Sequence, residues 1–290
     1  MTHPGTGQAS TEGNDEMFPI VSTLDRGARM TQLPPGRSVG RFTGRLFARV
    51  LMCTTVWALV FSALYAALLG LAPTSVGSPW SMGVALIITY FALSSTIVLS
   101  ERTWTTFGQA RVAGLLTSTV VAGGFALSAC GWLIISYSTV PQPAFDLHNI
   151  ATSTTIPREL GAMVGAAAAL WAVVALGRLV PALHHARSRQ QTIDRLRRTG
   201  IRHTGKLSAL DFRNTWLRDQ PIFRIEVAYT AGGESRIVPL HMRTSADRVP
   251  VLSSPMVVLT DGAGSVHVDL DHSAGIEFEK DDGRYRACEG

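Results

Sequence analysis

Residues 161–200 read GAMVGAAAALWAVVALGRLVPALHHARSRQQTIDRLRRTG, and the change of character along this stretch decides the fold. From Gly161 to Leu183 the only charge is Arg178, close to the end, where a long side chain reaches the headgroups. About 20 apolar residues in a helix cross the ~30 Å hydrocarbon layer, so this is a membrane span. His184 to Gly200 then carries five Arg against one Asp. It continues the helix into water and stops at Gly200, a favoured residue at helix C-termini. His184 and His185 are adjacent, so they point to different faces and do not share a metal. Beyond Gly200 the hydrophobic period falls to two.

Three more spans precede this one: Val50 to Ala72, Met82 to Leu99 and Val112 to Tyr137, none with a carboxylate inside. They agree with a chain of 290 residues that is 46% apolar and 16% charged, with a mean hydropathy of +0.20, where soluble domains carry roughly 25% charge. Three cysteines exclude a disulfide framework. Arginine bias orients the spans. Arg29, Arg37, Arg41, Arg45 and Arg49 precede or enter the first; Arg102 and Arg111 lie between the second and third; Arg178, Arg187, Arg189, Arg195, Arg197 and Arg198 end or follow the fourth. Arg158 alone falls on the other side. Both termini are therefore expected in the cytoplasm of a bacterial-type inner membrane.

Residues 1–46 are polar, rich in Gly, Pro, Ser and Thr, and followed by a full-length span. They read as a disordered cytoplasmic arm and not as a cleaved signal peptide. Residues 47–183 form the four-helix transmembrane domain, 184–200 a basic juxtamembrane helix, 201–271 a β-barrel-like cytoplasmic domain and 272–290 a flexible tail. The basic helix makes anionic headgroups its natural partner, at about 1 kcal/mol per charge, with Arg187, Arg189, Arg195, Arg197 and Arg198 as lipid-contact candidates.

Transport of ions or protons calls for ionisable side chains on a polar path, and none lies mid-span. The interior polar groups are hydroxyls: Thr54, Thr55, Thr89, Ser94, Ser95, Thr96, Thr117, Ser118, Thr119 and Ser128. A helix satisfies such groups on its own carbonyls. Small residues serve close helix packing: Gly161, Gly165 and Ala169 in the fourth span, Gly124 and Ser128 in the third. They fit a compact bundle or a homo-oligomer. Trp80, Trp104 and Tyr137 suit the membrane interface, whereas Trp57, Tyr90 and Trp171 lie deeper and are expected to pack on neighbouring helices. Asp146 and His148 in the outward loop read as solvated.

In the C-terminal module Phe223, Ile225, Val227 and Tyr229 share one strand face, with Arg224 and Glu226 on the other. Ala231-Gly232-Gly233-Glu234 turns into a second strand from Ser235 to Leu240. Val257 to Thr260 and Val266 to Leu270 add two more, and His203 to Ala209 a fifth, which makes a small five-stranded all-β barrel. His267 falls on the outward face. The order Thr204-Gly205-Lys206-Leu207, Pro221, Val227-Ala228-Tyr229-Thr230, Val249-Pro250-Val251 and Asp269-Leu270-Asp271 resembles the β module of DUF3592-like bacterial multi-pass membrane proteins. The resemblance implies a fold and a membrane location, and supplies no catalytic residue.

No convergent nucleophile, acid or base set is legible, so no catalytic, cofactor or metal residue is assigned and no cofactor is expected. Residues 201–290 carry 11 basic and 13 acidic groups, which argues against nucleic acid. Cys53 reads as a core thiol, Cys130 is deep in the third span, and Cys288 misses the prenylation position by one. The expected function is that of a non-catalytic, membrane-anchored binding or assembly module. The alternatives are a small transporter or channel component for an uncharged solute and, third, a membrane-bound enzyme.

Overall fold

A computed structural model describes residues 19–68, 79–139, 158–280 and 282–286. The chain divides into two units, Ala28–Arg195 and Met1–Gly27 with Leu196–Gly290, and passes between them twice. The first unit holds four helices, α1 (Gly44–Leu68), α2 (Pro79–Phe107), α3 (Ala110–Thr139) and α4 (Arg158–Thr199, whose last turn belongs to the second unit). All four are long and apolar enough to cross a membrane.

The helices outrun the apolar runs that announce them, because backbone hydrogen bonding carries a helix on past its last apolar residue. α1 starts at Gly44, ahead of Val50, while residues 69–72 of the expected first span lie outside the described residues. α2 continues past Leu99 to Phe107, so the loop expected from Ser100 to Arg111 contracts to Gly108-Gln109. Gly108 makes this turn at φ +63°, and a Cβ there would collide with the Gln32 carbonyl oxygen. α4 runs unbroken through the basic segment, and the Gly200 amide donates to the Leu196 carbonyl at 2.9 Å.

α1 bonds to each of the other helices. Trp57 Nε1 donates to Thr96 Oγ1 of α2 at 2.8 Å, Ser128 Oγ of α3 donates to Ser62 Oγ at 3.3 Å, and the Tyr65 hydroxyl donates to the Gly161 carbonyl of α4 at 2.7 Å. Backbones meet where side chains are absent: a Cβ on Gly124 would stand 2.7 Å from Trp57 Cβ and 2.9 Å from the Thr54 carbonyl oxygen. A Cβ on Gly165 would stand 2.9 Å from Ala129 Cβ. The buried stripe of α4 runs Gly161, Gly165, Ala168, Ala175, Leu179, Ala182, Ala186, Gln190 and Ile193. Ala169 is only half-buried, because a strict four-residue repeat drifts about 40° per step around a helix with 3.6 residues per turn. The hydroxyls of Thr54, Thr55, Thr89, Ser95, Thr96, Thr117 and Thr119 donate to carbonyls of their own helices at 2.7–3.1 Å. Tyr90 and Trp171 correct the sequence reading: both face outward from the bundle, at 74% and 54% exposure.

The second unit is a six-stranded antiparallel sheet in the order β1-β4-β3-β2-β5-β6, one strand more than the sequence shows. Its strands are β1 (Ile20–Ser22), β2 (Ile201–Leu217), β3 (Gln220–Ala231), β4 (Glu234–Arg243), β5 (Pro255–Thr260) and β6 (Val266–Leu270). The edge strands β1 and β6 come into contact, so the sheet is nearly closed. The additional strand comes from the arm expected to be disordered. Ile20, Val21 and Ser22 pair with Arg243, Met242 and His241, and Val21 enters the core beside Leu240, Met242, Val258 and Val268. The expected flexible tail is also corrected. Tyr285 is buried, packs edge-on against Phe212 and Phe223 at 5.4 and 5.1 Å, and accepts a 2.7 Å bond from Trp216 Nε1 on its carbonyl. Val249-Pro250-Val251 is not a strand but bridges to Phe278 through Pro250.

Gly124→Ala tests the close approach of α1 and α3. Overpacking of this kind costs about 1–3 kcal/mol, so the thermal midpoint of the detergent-solubilised protein should fall. Gly131→Ala, on the same helix where a Cβ meets nothing within 4 Å, should leave the midpoint unchanged or raise it. Val21→Asp puts a carboxylate into the barrel core and should abolish cooperative near-ultraviolet unfolding of the β unit.

Candidate functional site

Three polar assemblies stand out, each inside one unit. The first lies in the helical unit. Residues 30–40 cross helix ends without belonging to a helix or strand, turning at Pro35-Gly36, and the parts of their backbone that are buried need partners for their amides and carbonyls. Gln109, fully buried in the α2–α3 turn, donates from Nε2 to the Arg29 carbonyl at 2.6 Å and to Thr31 Oγ1 at 3.3 Å. Gln190 of α4 accepts from the Gly40 amide at 2.8 Å and donates to the carbonyls of Gln32 and Thr106 at 3.3 and 3.4 Å. The Gln32 amide donates to the Gly108 carbonyl at 2.9 Å, and Arg37 donates to the Thr105 carbonyl at 3.1 Å. Met30 and Leu33 are buried beside these bonds. The arm is therefore ordered here too. The assembly fixes backbone and exposes no group disposed for chemistry.

The second assembly joins the last helical turn to β6 within the β unit. Leu196 packs with Val257 and Leu259, outward-facing residues of β5. This contact brings Arg197 onto β6, where Nε donates to Asp269 Oδ2 at 2.9 Å and a terminal nitrogen to Oδ1 at 2.8 Å. His267 Nε2 donates to the same Oδ1 at 3.1 Å. His267 is buried, although strand alternation places it outward, because the helical turn covers that face. Burial raises the Asp269 pKa, but the bonds from His267 and Arg197 and their charges prevail and hold the carboxyl well below the usual carboxylate range. A carboxylate so tightly held is a fastener; a general base would need a pKa near working pH.

The third assembly is basic. His241 of β4 stands opposite Arg224 of β3, itself opposite Asp211 of β2. Partial burial lowers the His241 pKa, and the charges of Arg26, Arg224 and Arg213 lower it further, against a backbone bond at Phe223. Arg213 pairs with Asp211 at 3.4 Å, both exposed. Nearby on β4, Arg243 is fully buried, and burial, with the charge of Arg218, lowers its pKa to about 10, so it stays charged at neutral pH.

The structure distributes the lipid-contact candidates unequally. Arg187, Arg195 and Arg198 are exposed and Arg189 is half-buried, whereas the Arg197 guanidinium is committed to Asp269. Sequence spacing missed that pairing because Arg197 and Asp269 are far apart in the chain. Cys53 is buried among Leu99, Val112 and Leu179, and Cys130 is exposed on α3. His203 Nε2 lies 3.2 Å from Thr260 Oγ1. Asp146, His148 and Cys288, like the side chains of Trp80 and His272, lie outside the described residues. Among the described residues no three His, Cys, Asp or Glu side chains converge as a metal site.

The chain matches no protein-family model, no curated protein and no solved structure.

Asp269→Asn should lower the thermal midpoint of the solubilised protein at pH 7. A depressed folded-state pKa stabilises above the unfolded value of about 3.9 and loses that stabilisation as pH falls through the folded value. The difference between wild type and variant should therefore shrink steadily below about pH 4, as read by pH-dependent thermal unfolding.

Proposed function

We propose that the chain is a multi-pass protein of a bacterial-type inner membrane with both termini in the cytoplasm, and that its β unit is a non-catalytic binding or assembly module. The DUF3592-like resemblance is part of this reading. The four apolar helices support the membrane location, and the arginine bias of their flanks supports the orientation.

The observation that carries the binding role is the uneven pairing of β2. Its first half pairs with β5 over Ile201–Lys206, and Leu207 exchanges backbone bonds with Ser253 and Ser254. Beyond Leu207 the strand pairs with β3 alone among the described residues, at Ala209–Phe212 and at Trp216–Leu217, while Asp211, Arg213, Asn214 and Thr215 are exposed. The stretch around Ala209–Phe212 that β5 does not cover is a template for an added strand, whose main-chain bonds supply affinity. The edge is also guarded. The register shifts between Phe212 and Trp216, Asn214 adopts φ 49°, and Asp211 and Arg213 just before it carry opposite charges. Irregularity and charge discourage indiscriminate pairing, so a partner has to match the pattern. The span hydroxyls bonded to their own helices favour this reading over passage of an uncharged solute.

A photo-crosslinking residue at Thr215 of the full chain in native membranes should give one discrete adduct. The double charge reversal Asp211→Lys with Arg213→Glu should abolish it, and the same probe at Gly262 in the β5–β6 turn should not form it. No adduct at Thr215, or one indifferent to the charge reversal, removes the binding role. A reporter fused after Gly290 should be active inside intact cells; activity outside overturns the orientation.

A further inference from the structure

A groove of about 470 Å³ runs along α4, lined by Val180, Leu183, His184, Arg187, Ser188 and Gln191. These positions recur at helical spacing, so they form one stripe, and it changes character along its length. Val180 and Leu183 close the apolar span; His184, Arg187, Ser188 and Gln191 follow at its polar end. Their side chains are exposed or, for Leu183, half-buried. The groove is separate from the stripe of Leu179, Ala182, Ala186 and Gln190 that packs inward.

We propose that this groove is a discrete headgroup site for an anionic phospholipid. The polarity gradient is that of the ligand. Val180 and Leu183 meet the first methylenes of an acyl chain at the hydrocarbon boundary. Arg187 supplies a charge-assisted pair of donors to the phosphodiester, with His184 one turn above, Ser188 beside it and Gln191 one turn below for the glycerol oxygens. Charge complementarity selects the occupant: the groove presents a guanidinium and no carboxylate, in a position that an anionic leaflet always supplies at high local concentration. The site rests on the membrane reading of α4. It differs from a diffuse attraction spread over the basic arm, because a diffuse attraction has no preferred helix face.

Arg178 provides the internal control. It is exposed, its long side chain reaches toward the same headgroups from about 13 Å further along the helix axis, and at nine residues' separation it projects from the opposite side of α4. The full chain would be reconstituted into nanodiscs of phosphatidylcholine and phosphatidylglycerol in equal parts. Phosphatidylglycerol retained on the released protein would then be counted by native mass spectrometry. Incorporation with cooperative unfolding tests the membrane reading; failure to incorporate defeats that reading and this site with it. In incorporated protein, phosphatidylglycerol should be retained over phosphatidylcholine. Arg187→Gln should reduce the preference about fivefold, the factor corresponding to one basic charge at the surface. His184→Ala should reduce it less, and Arg178→Gln should leave it near wild type. Equal losses in Arg187→Gln and Arg178→Gln, or no preference in wild type, overturn the site while leaving the membrane reading intact.

Discussion

Buried backbone must be hydrogen-bonded, and in the helical unit that demand falls on the buried parts of residues 30–40, which belong to no helix or sheet. Two glutamine side chains answer it, Gln109 and Gln190, each able to donate and accept at once. Their positions dictate much of the surrounding architecture. Gln109 reaches Arg29 and Thr31 only from a turn as tight as Gly108-Gln109, which in turn requires α2 and α3 to remain helical beyond their apolar runs. Gln190 reaches Gln32, Gly40 and Thr106 only if α4 keeps its helical phase past the span. The buried stripe that begins at Gly161 therefore continues through Ala186 to Gln190 without a break in character, from lipid-depth packing to polar capping of another segment. A leucine at Gln190 would fill space but remove bonds to three backbone groups, and one at Gln109 a bond to the Arg29 carbonyl, each buried group left unpaired costing about 1–3 kcal/mol.

The same arm makes a second, independent attachment. Ile20–Ser22 joins β4 as an edge strand and brings the sheet close to closure. Closure matters because an antiparallel sheet with long free edges invites unwanted pairing; a strand of three residues suffices at this edge because Val21 also fills the core. Since the chain enters and leaves the β unit through both Gly27 and Leu196, removing either connection alters a unit that is not contiguous in sequence. The β unit is thus not the C-terminal third alone.

Legibility followed the range of the physics. The four long apolar helices, the basic continuation of α4 and β2 to β6 were readable because hydropathy and alternation are local signals. β1 was not, since three residues bear no period and their partner strand lies more than two hundred positions away. Tyr285 was missed for a related reason: an aromatic isolated among polar residues carries no pattern, and only the ring contacts with Phe212 and Phe223 reveal its role. His267 shows a different failure. Alternation correctly placed it on the face away from the barrel core, but an outward face is solvent only if nothing else covers it, and Leu196 with Arg197 does. Neither the open half of β2 nor the α4 groove has a motif. Both arise from where neighbouring elements end.

Arginine plays two parts that sequence counting merges. In the folded chain Arg37 donates to a helix-end carbonyl, Arg197 forks onto Asp269 and Arg243 is wholly buried, so these cations are not a uniform solvated fringe. On the proposed membrane reading, orientation bias acts while segments insert, before Asp269 or the Thr105 carbonyl is in place to receive them. A nascent chain presents every guanidinium as a solvated charge resisting transfer. Pairing afterwards then assigns each arginine its permanent use. Topology and tertiary structure draw on the same residues at different times, which is why the tally of basic flanks stays meaningful although several of its members end far from any headgroup chemistry. By this division, residues such as Arg187 that keep an exposed guanidinium after folding are the ones the proposed headgroup site draws on.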